Sequence, residues 1–568
     1  MRWIAGVLLL AGVAVAEPVF RNVAAEVGAG GRRGARAAFV DLDGDGWPDL
    51  VIGRDIVLRN VRGTFVDFTA ESGINLPAGE GATRRADLLL FGDVDNDGDI
   101  DIFSGRICDF EKEGATDHGQ RNEILLNDGK GRFTALAKSG VRDHPATIVA
   151  GTFLDYDRDG VLDLWVGNQY RQYGASLECY PSRLYRGNGD GTFADVTEKA
   201  GLLGVAEPGR RDSRRPVYGV THFDWNDDGW TDLFVCAYGR QWNQLFQNRG
   251  DGTFIDVAEA TGFDGDEDRS GAYPEWMQAW WKERYGGPRA NEAPFRSNGN
   301  TFTCAPADFD SDGDLDCVLG EITHGWAGDS SDRTSLLVNE GAEKGFRFRR
   351  LVNAGVPRTH ADSRNWNQGD MHVAWLDYDL DGHQDLIISS SDYPDDQRLR
   401  LYRQRPDHTF EDVTEKVGLD WPASNAISIA DFDRDGDPDI LAGRSMARLT
   451  KEQREALPDE VAIWRNDQAT GHHWLAVRLI GRGRGGANRS AIGARVRLTA
   501  GGITQTRDVS GALGHAGDRN ALALLFGLGK ATKVDRLEVI WNGAPKEGSI
   551  PVVVAVDAVD RSLEVRER

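Results

Sequence analysis

From residue 37 onward the chain alternates short apolar runs with clusters of aspartate and glycine. AAFV precedes the stretch DLDGDGWPD (41–49), and LVIG follows it. Apolar runs of roughly four to eight residues, bounded by Gly, Asp and Asn, read as strands joined by tight turns. The same succession returns at DVDNDGDID (93–101), DYDRDGVLD (155–163), DWNDDGWTD (224–232), DFDSDGDLD (308–316), DYDLDGHQD (377–385) and DFDRDGDPD (431–439). After each copy comes a third run ending near Asn or Gly, as in ILLNDG, RLYRGNG and QLFQNRG. A fourth lies around GTFVDFT, GTFADVT, GTFIDVA or HTFEDVT. Four short strands per repeat predict the blades of a β-propeller.

The two ends of the repeat region are complementary. FRNVAAEVG (20–28) looks like a fourth strand with no unit before it, and VAIWRND (461–467) like a third strand with no fourth after it. One pairing with the other closes a ring, whereas an open solenoid would leave both unpaired. The expectation is therefore an all-β chain: a seven-bladed β-propeller over 17–468, then a small β-sandwich or barrel over 469–568. The last region reads as alternating runs (WLAVRLI, ARVRLTA, ITQTRDV, ALALLFGL, DRLEVIW) split by Gly-rich turns. Its GRGRGGANR stretch (481–489) reads as a loop between strands rather than a nucleic-acid segment.

The recurring nonapeptide has the form D-x-[DN]-x-D-G-x-x-D. Carboxylates at positions 1, 3, 5 and 9 converge around a turn that the glycine at position 6 permits. Ca²⁺ takes six to eight oxygen ligands in irregular geometry, whereas Mg²⁺ keeps its waters and uses fewer carboxylates. The expected ligands are Asp41, Asp43, Asp45 and Asp49; Asp93, Asp95, Asp97 and Asp101; Asp155, Asp157, Asp159 and Asp163; Asp224, Asn226, Asp228 and Asp232; Asp308, Asp310, Asp312 and Asp316; Asp377, Asp379, Asp381 and Asp385; and Asp431, Asp433, Asp435 and Asp439. That makes up to seven Ca²⁺ sites, the fourth weakest because Asn226 replaces a carboxylate. An EF-hand needs Glu at position 12. Here that position holds Ile52, Ser104, Val166, Val235, Leu319, Ile388 and Ala442, so these are strand–loop–strand sites.

Composition changes this picture little. Hydrophobic residues are 40% of the 568, enough for a core, and seven divalent cations would offset more than half of the formal charge of −24. Such acidity argues against nucleic acid as a partner. The first 16 residues, MRWIAGVLLLAGVAVA, read as a cleaved secretory signal, with the protein secreted, periplasmic or at the cell surface. No later run is long and apolar enough to span a membrane. The five cysteines fit no zinc spacing; Cys108 and Cys179 are the expected disulfide pair, being in corresponding loops. The sequence sets no oligomeric state.

The repeats resemble the FG-GAP/VCBS family, which includes the calcium-binding blades of integrin α-subunit propellers. HHWLAVRLIG, NRSAIGARVRLTAGG, RDVSGALGH and LLFGLGKATKVDRLEVIW resemble the ASPIC/UnbV domain. The combination resembles the cartilage acidic protein family and its exported bacterial relatives. That resemblance implies calcium binding, an extracellular setting and a role in adhesion or interaction. It implies no particular enzymatic activity.

In a propeller the nonapeptides would share one face, and the long insertions (106–122, 168–182, 262–303, 323–335, 358–372) would crowd the other. Loops on a rigid scaffold carry function. The favoured reading is a module binding an extracellular protein or glycan through that loop-rich face, with Trp276, Trp280, Trp281 and Trp326 as an aromatic platform. For Trp276, Trp280 and Trp281 the blander reading, burial of the insertion on the propeller, is the stronger one. The alternative is an extracytoplasmic enzyme acting on a polysaccharide at the channel mouth, using His324, His360, His372, Asp370 and Arg364. None of these histidines has metal-ligand spacing, and there is no nucleophile elbow or phosphate-binding loop.

Overall fold

A computed structural model describes residues 19–568 except 54, 76–87, 109–121, 142–145, 173, 352–353, 357–366, 392–396, 469, 516, 518 and 544–549. Nearly all its regular structure is β, in antiparallel four-stranded units. In each unit the first strand ends at a nonapeptide and the second begins at its last aspartate, as in Ala37–Val40 followed by Asp49–Ile52. The remaining first strands are Leu88–Gly92, Ala146–Leu154, Val217–Phe223, Thr301–Ala307, Asn367–Leu376 and Ser424–Ala430. These make seven units in the described residues.

The seventh unit is completed from the other end of the chain. Phe20–Asn22 pairs antiparallel with Ala462–Asn466, Phe20 opposite Asn466 and Asn22 opposite Trp464. Apolar clusters then join every consecutive pair of units. Leu50 and Leu441 meet between the first and seventh, Val57 and Ile102 between the first and second, and Leu90 and Phe153 between the second and third. Trp165 and Val220, Phe234 and Cys304, Leu336 and Ile388, and Ile387 and Ile440 continue the series. The units therefore form a closed ring in which each core is shared by two neighbours.

A polar staple recurs at the same interfaces. The amide of Asn60, Asn127, Asn248, Asn339, Gln404 and Asn466, at the end of each third strand, donates 2.7–2.9 Å to a carbonyl of the preceding unit's nonapeptide. These groups are buried, so each bond also satisfies a carbonyl that water cannot reach. The third unit has Gly187 here, because a Cβ would lie 2.2 Å from the Leu162 carbonyl oxygen. In its place the Gly191 N–H reaches the Val94 carbonyl at 3.3 Å.

The C-terminal region is two packed sheets. One contains Leu524–Gly529, His473–Ile480 and Arg561–Arg566; the other Ile503–Asp508, Arg495–Ala500, Arg536–Ile540 and Val552–Val554. Leu475 and Val477 from one sheet and Val496, Leu498 and Val539 from the other share a core, so the region is a sandwich. It does not stand apart from the ring but covers it, as described below.

Cys179 is a free, buried thiol, so the expected Cys108–Cys179 bridge is not formed. The reason is topological. Ile107–Cys108 joins the edge of the third unit's first strand, with Cys108 opposite Ala146, whereas Cys179 bridges Tyr170. Cys236, Cys304 and Cys317 are likewise free and buried. Among the described residues no helix is long and apolar enough to cross a membrane. The first 16 residues lie outside the described part.

Candidate metal centres

Each nonapeptide folds as two left-handed kinks. The glycine at position 6 has φ between +81° and +106° in all seven copies. Position 4 is left-handed as well, at +53° to +71°, although it is Asn96, Arg158, Asp227, Ser311, Leu380 or Arg434 in six of them. This double kink turns the alternate side chains inward, and backbone N–H groups hold them there. Position 1 accepts from the glycine N–H at 2.9–3.2 Å. Position 5 accepts from the N–H of position 7 at 2.9–3.1 Å.

Position 9 has a structural duty that its spacing alone did not disclose. One oxygen accepts from the last residue of the third strand at 2.7–2.9 Å. In six units the other accepts from the N–H of position 2. The same aspartate thus ties three strands of its unit together.

Other oxygens are left over. Asp41, Asp43, Asp93, Asp157, Asp308, Asp310, Asp316, Asp379 and Asp433 each keep one buried carboxylate oxygen with no hydrogen-bond partner. They come from every unit except the fourth, where the Asn226 amide donates to Asp228 at 2.9 Å. In Asp41, Asp43 and Asp45, in Asp93, Asp95 and Asp101, in Asp155, Asp157 and Asp163, in Asp308, Asp310 and Asp312, and in Asp377, Asp379 and Asp385, one oxygen per residue lies within 4.8 Å of the others. A buried acceptor without a donor is costly, and several carboxylates around one point are costlier still. Burial, then repulsion from its neighbours in the loop, pushes Asp93 up to about 7, and burial raises Asp377 to about 8. At position 9 burial lifts Asp49 to about 7 and Asp101 to about 8. These clusters could hold a metal ion.

Arginine supplies part of the missing charge in four units. Arg59 pairs with Asp43 at 3.2 Å, Arg186 with Asp157 at 2.6 Å, Arg403 with Asp379 at 2.7 Å and Arg465 with Asp433 at 4.0 Å. All four sit one residue before the end of the third strand, where the other units have Leu126, Gln247 and Val338.

The sandwich lies over this face. Arg478 pairs with Asp41 at 2.8 Å, and Arg495 reaches both Asp227 and the Asp224 carbonyl. Asn542 donates to the Asp155 carbonyl, and His472 contacts the Asp379 carbonyl at 2.7 Å. Between two of its strands, residues 509–515 and 519–523 enter the channel and contact the units' first strands. Gly514–His515 pairs with Gly219 and Val220. The Gly511 N–H donates to His222 Nε2, and Ser428 Oγ to the Arg519 carbonyl. Gly511 fits because a Cβ would meet the Phe153 carbonyl oxygen at 2.1 Å. Within the stretch RDVSGALGH, the part after the strand, from Val509 to His515, is thus a channel plug. Sequence reasoning missed it, and also the third-strand arginines; only the small residues of the plug hinted at close approach.

Three of the catalytic candidates proposed for the opposite face, Asp370, His372 and His324, lie among the described residues, each with its own contacts. Asp370 is fully buried, and its carboxylate accepts from Thr334, Gln368 and Ser390. His372 contacts Asn425 at 2.7 Å and faces the plug through His515, with ring centres 5.4 Å apart. His324 instead stacks on Trp326. His360 and Arg364 lie outside the described residues. The helix Glu275–Tyr285 forms in the large insertion, anchored by buried Met277. Trp276 is half-buried on it, Trp281 packs against Tyr285 and lies under Arg289, and Trp280 is 46% exposed. Trp326 is sandwiched by Tyr273, Arg240 and Arg289.

Family models match parts of both the repeat region and the C-terminal region. A model of the FG-GAP-like repeat matches residues 41–104, 93–166 and 377–442, and a model described as ASPIC and UnbV matches 483–567. Cartilage acidic protein 1 of Xenopus tropicalis is 26% identical over 317 residues, 55% of this chain and 39% of that protein. The Homo sapiens protein is 26% identical over 318 residues, 55% of this chain and 38% of its own length. The match to these two relatives thus spans about two fifths of their length. Among solved structures, BBS1N in complex with ARL6DN has a TM-score of 0.37 at 11% identity, covering 77% of this chain and 93% of that one. Rhamnogalacturonan lyase YesW has 0.31 at 12%, covering 94% and 91%. Likenesses this low carry no functional argument. Stretches of the chain thus match the FG-GAP-like repeat and the ASPIC and UnbV domain, and the chain is distantly related to cartilage acidic protein 1.

Proposed function

We propose that this is an exported calcium-binding protein, a seven-bladed propeller over 17–468 capped by a domain over 469–568, that binds an extracellular protein or glycan through its loop-rich face. The observation that carries the calcium reading is the set of buried, partnerless carboxylate oxygens in six of seven nonapeptides. Their hard oxygen donors and the irregular double-kinked loop suit Ca²⁺ better than Mg²⁺. Asp41, Asp93, Asp155, Asp308, Asp377 and Asp431, with positions 3, 5 and 9 of each loop, would hold the ions. The fourth site is the weakest, since Asn226 already satisfies Asp228. The second and fifth depend most on the ion, having Leu126 and Val338 where arginine stands elsewhere.

The metal supplies positive charge at the point where each loop gathers its oxygens, and it stabilises the fold by mass action. Metal analysis of purified protein and its melting temperature with calcium or chelator test this reading. Calcium near six per chain and a melting temperature several degrees lower in chelator are expected. No calcium and an unchanged melting temperature would refute it.

The binding role follows from where the free surface lies. The domain cap covers the nonapeptide face, leaving the insertions and the exposed Trp280 and Tyr285 on the other. Catalysis by Asp370 and His372 is disfavoured because both are buried and engaged in hydrogen bonds. A glycan array and a pull-down with calcium distinguish the readings: capture without turnover supports binding, and new product ends would support the enzyme.

A further inference from the structure

Between the cap and the ring lies a chamber of about 500 Å³. It is bounded by the first strands of the first, fourth, fifth, sixth and seventh units on one side and by the plug on the other. Phe39, Trp375 and Leu513 give it apolar walls. It reaches the rim between exposed Gly44 and Asp45 of the first loop and exposed Ser562 and Glu564 of the cap. A volume of this size suits a drug-sized molecule.

Two arginines of the cap line this chamber in an unusual state. Arg519 is only 3% exposed. It donates to the Phe91 carbonyl, its Nε has no hydrogen-bond partner, and no carboxylate among the described residues pairs with it. Arg507 donates to the Leu525 carbonyl and to Gln505 at 3.0 Å, and its Nε too has no partner. Burial alone pulls Arg519 down to about 10, and burial outweighs the field of Asp377 to bring Arg507 to about 10. An isolated buried guanidinium is costly unless a counter-charge arrives. Of the other charges on the wall, Arg478 is held by Asp41, Asp508 by Arg495 and Glu564 by Arg566, while exposed Arg434 lies over Trp47.

We propose that this chamber binds a small organic carboxylate, its acid group paired with Arg519 beside Arg507 and its apolar body lying along Phe39, Trp375 and Leu513. A planar guanidinium offers a carboxylate two parallel hydrogen bonds, and a water-poor wall strengthens them. The wall also carries Asp41, Asp377 and Asp431 of three nonapeptides. Cations in those loops cancel their charge, so the site is best formed in calcium-loaded protein; that clause rests on the calcium reading above.

The test is calorimetric titration of the calcium-loaded full chain with 4-phenylbutyrate and with octanoate, alongside the matched neutral amides and inorganic phosphate. One or both acids should bind while the amides and phosphate do not. Arg519→Gln should weaken that binding about tenfold or more. Because Arg519 also holds a ring carbonyl, a second variant is needed: Ala523→Trp, at an exposed residue of the chamber wall, should block binding while the melting temperature stays near wild type. Failure of both acids, equal binding of the amides, binding of phosphate alone, or full affinity in both variants would overturn the site. Metal content measured on the same sample separates the two readings. Binding through Arg519 in metal-free protein would sink the calcium reading and keep the chamber. Calcium-loaded protein that ignores both acids would do the reverse.

Discussion

At the residue scale, backbone geometry decides more than side-chain identity. Gly313 has φ +100° and open space around the position of a Cβ. Gly313→Ala therefore carries a purely conformational cost of about 1 kcal/mol or more, measured by urea unfolding in calcium buffer. Ser311, at φ +60° in the same loop, should show the opposite sign when replaced by glycine. The staple amide of Asn339 donates to the Trp225 and Leu315 carbonyls and accepts from the Gly341 N–H. Asn339→Ala leaves buried carbonyls unpaired and should cost about 2 kcal/mol; a change below a few tenths would show that the staple is dispensable. The glycine at position 6 was legible in the motif. The left-handed position 4 was not, because only Gly44 is a glycine there and the other six copies hold Asn, Arg, Asp, Ser or Leu.

At the scale of elements, strand order came directly from the alternation of apolar runs and turns, but the tie between ring and cap did not. Arg495, on a sandwich strand, joins Asp508 of its own sheet at 2.7 Å to Asp227 and the Asp224 carbonyl of the fourth nonapeptide. Arg495→Met strands Asp508, whose side chain is only 10% exposed, and should cost about 3 kcal/mol. It should also speed proteolysis of the segment between Asn466 and His473, where ring and cap join. If cleavage is unchanged, the cap is held by other contacts. The sequence showed arginines on alternating strands, yet nothing in their spacing said which carboxylates they would meet hundreds of residues away.

At the scale of the molecule, the plug couples the two halves and adds a pH dependence. His515 is buried in the channel between Tyr218 and Phe302, and its Nδ1 contacts the Tyr218 carbonyl at 2.6 Å. Burial, with Arg36 and His372 nearby, holds its pKa well below the usual histidine value. The folded protein then refuses a proton that the unfolded chain accepts. Stability conferred by neutral His515 is present above about pH 6.5 and is lost as pH falls below it. Between pH 7 and pH 5 the unfolding free energy should therefore drop by about 2 kcal/mol more in the wild type than in His515→Gln. Equal drops would mean that the channel accepts the charged ring. By itself the sequence determined the repeat, the strand–loop–strand placement of the carboxylates, the complementary ends that close the ring, and the β character of the last region. Those are local or periodic properties, written into side-chain alternation and turn residues. Only the tertiary structure decided that the last region covers the nonapeptide face, that the part of RDVSGALGH after the strand fills the channel, and that Asp370 and His372 are buried hydrogen-bonded residues. Such facts depend on contacts between residues far apart in the chain, which neither period nor motif encodes.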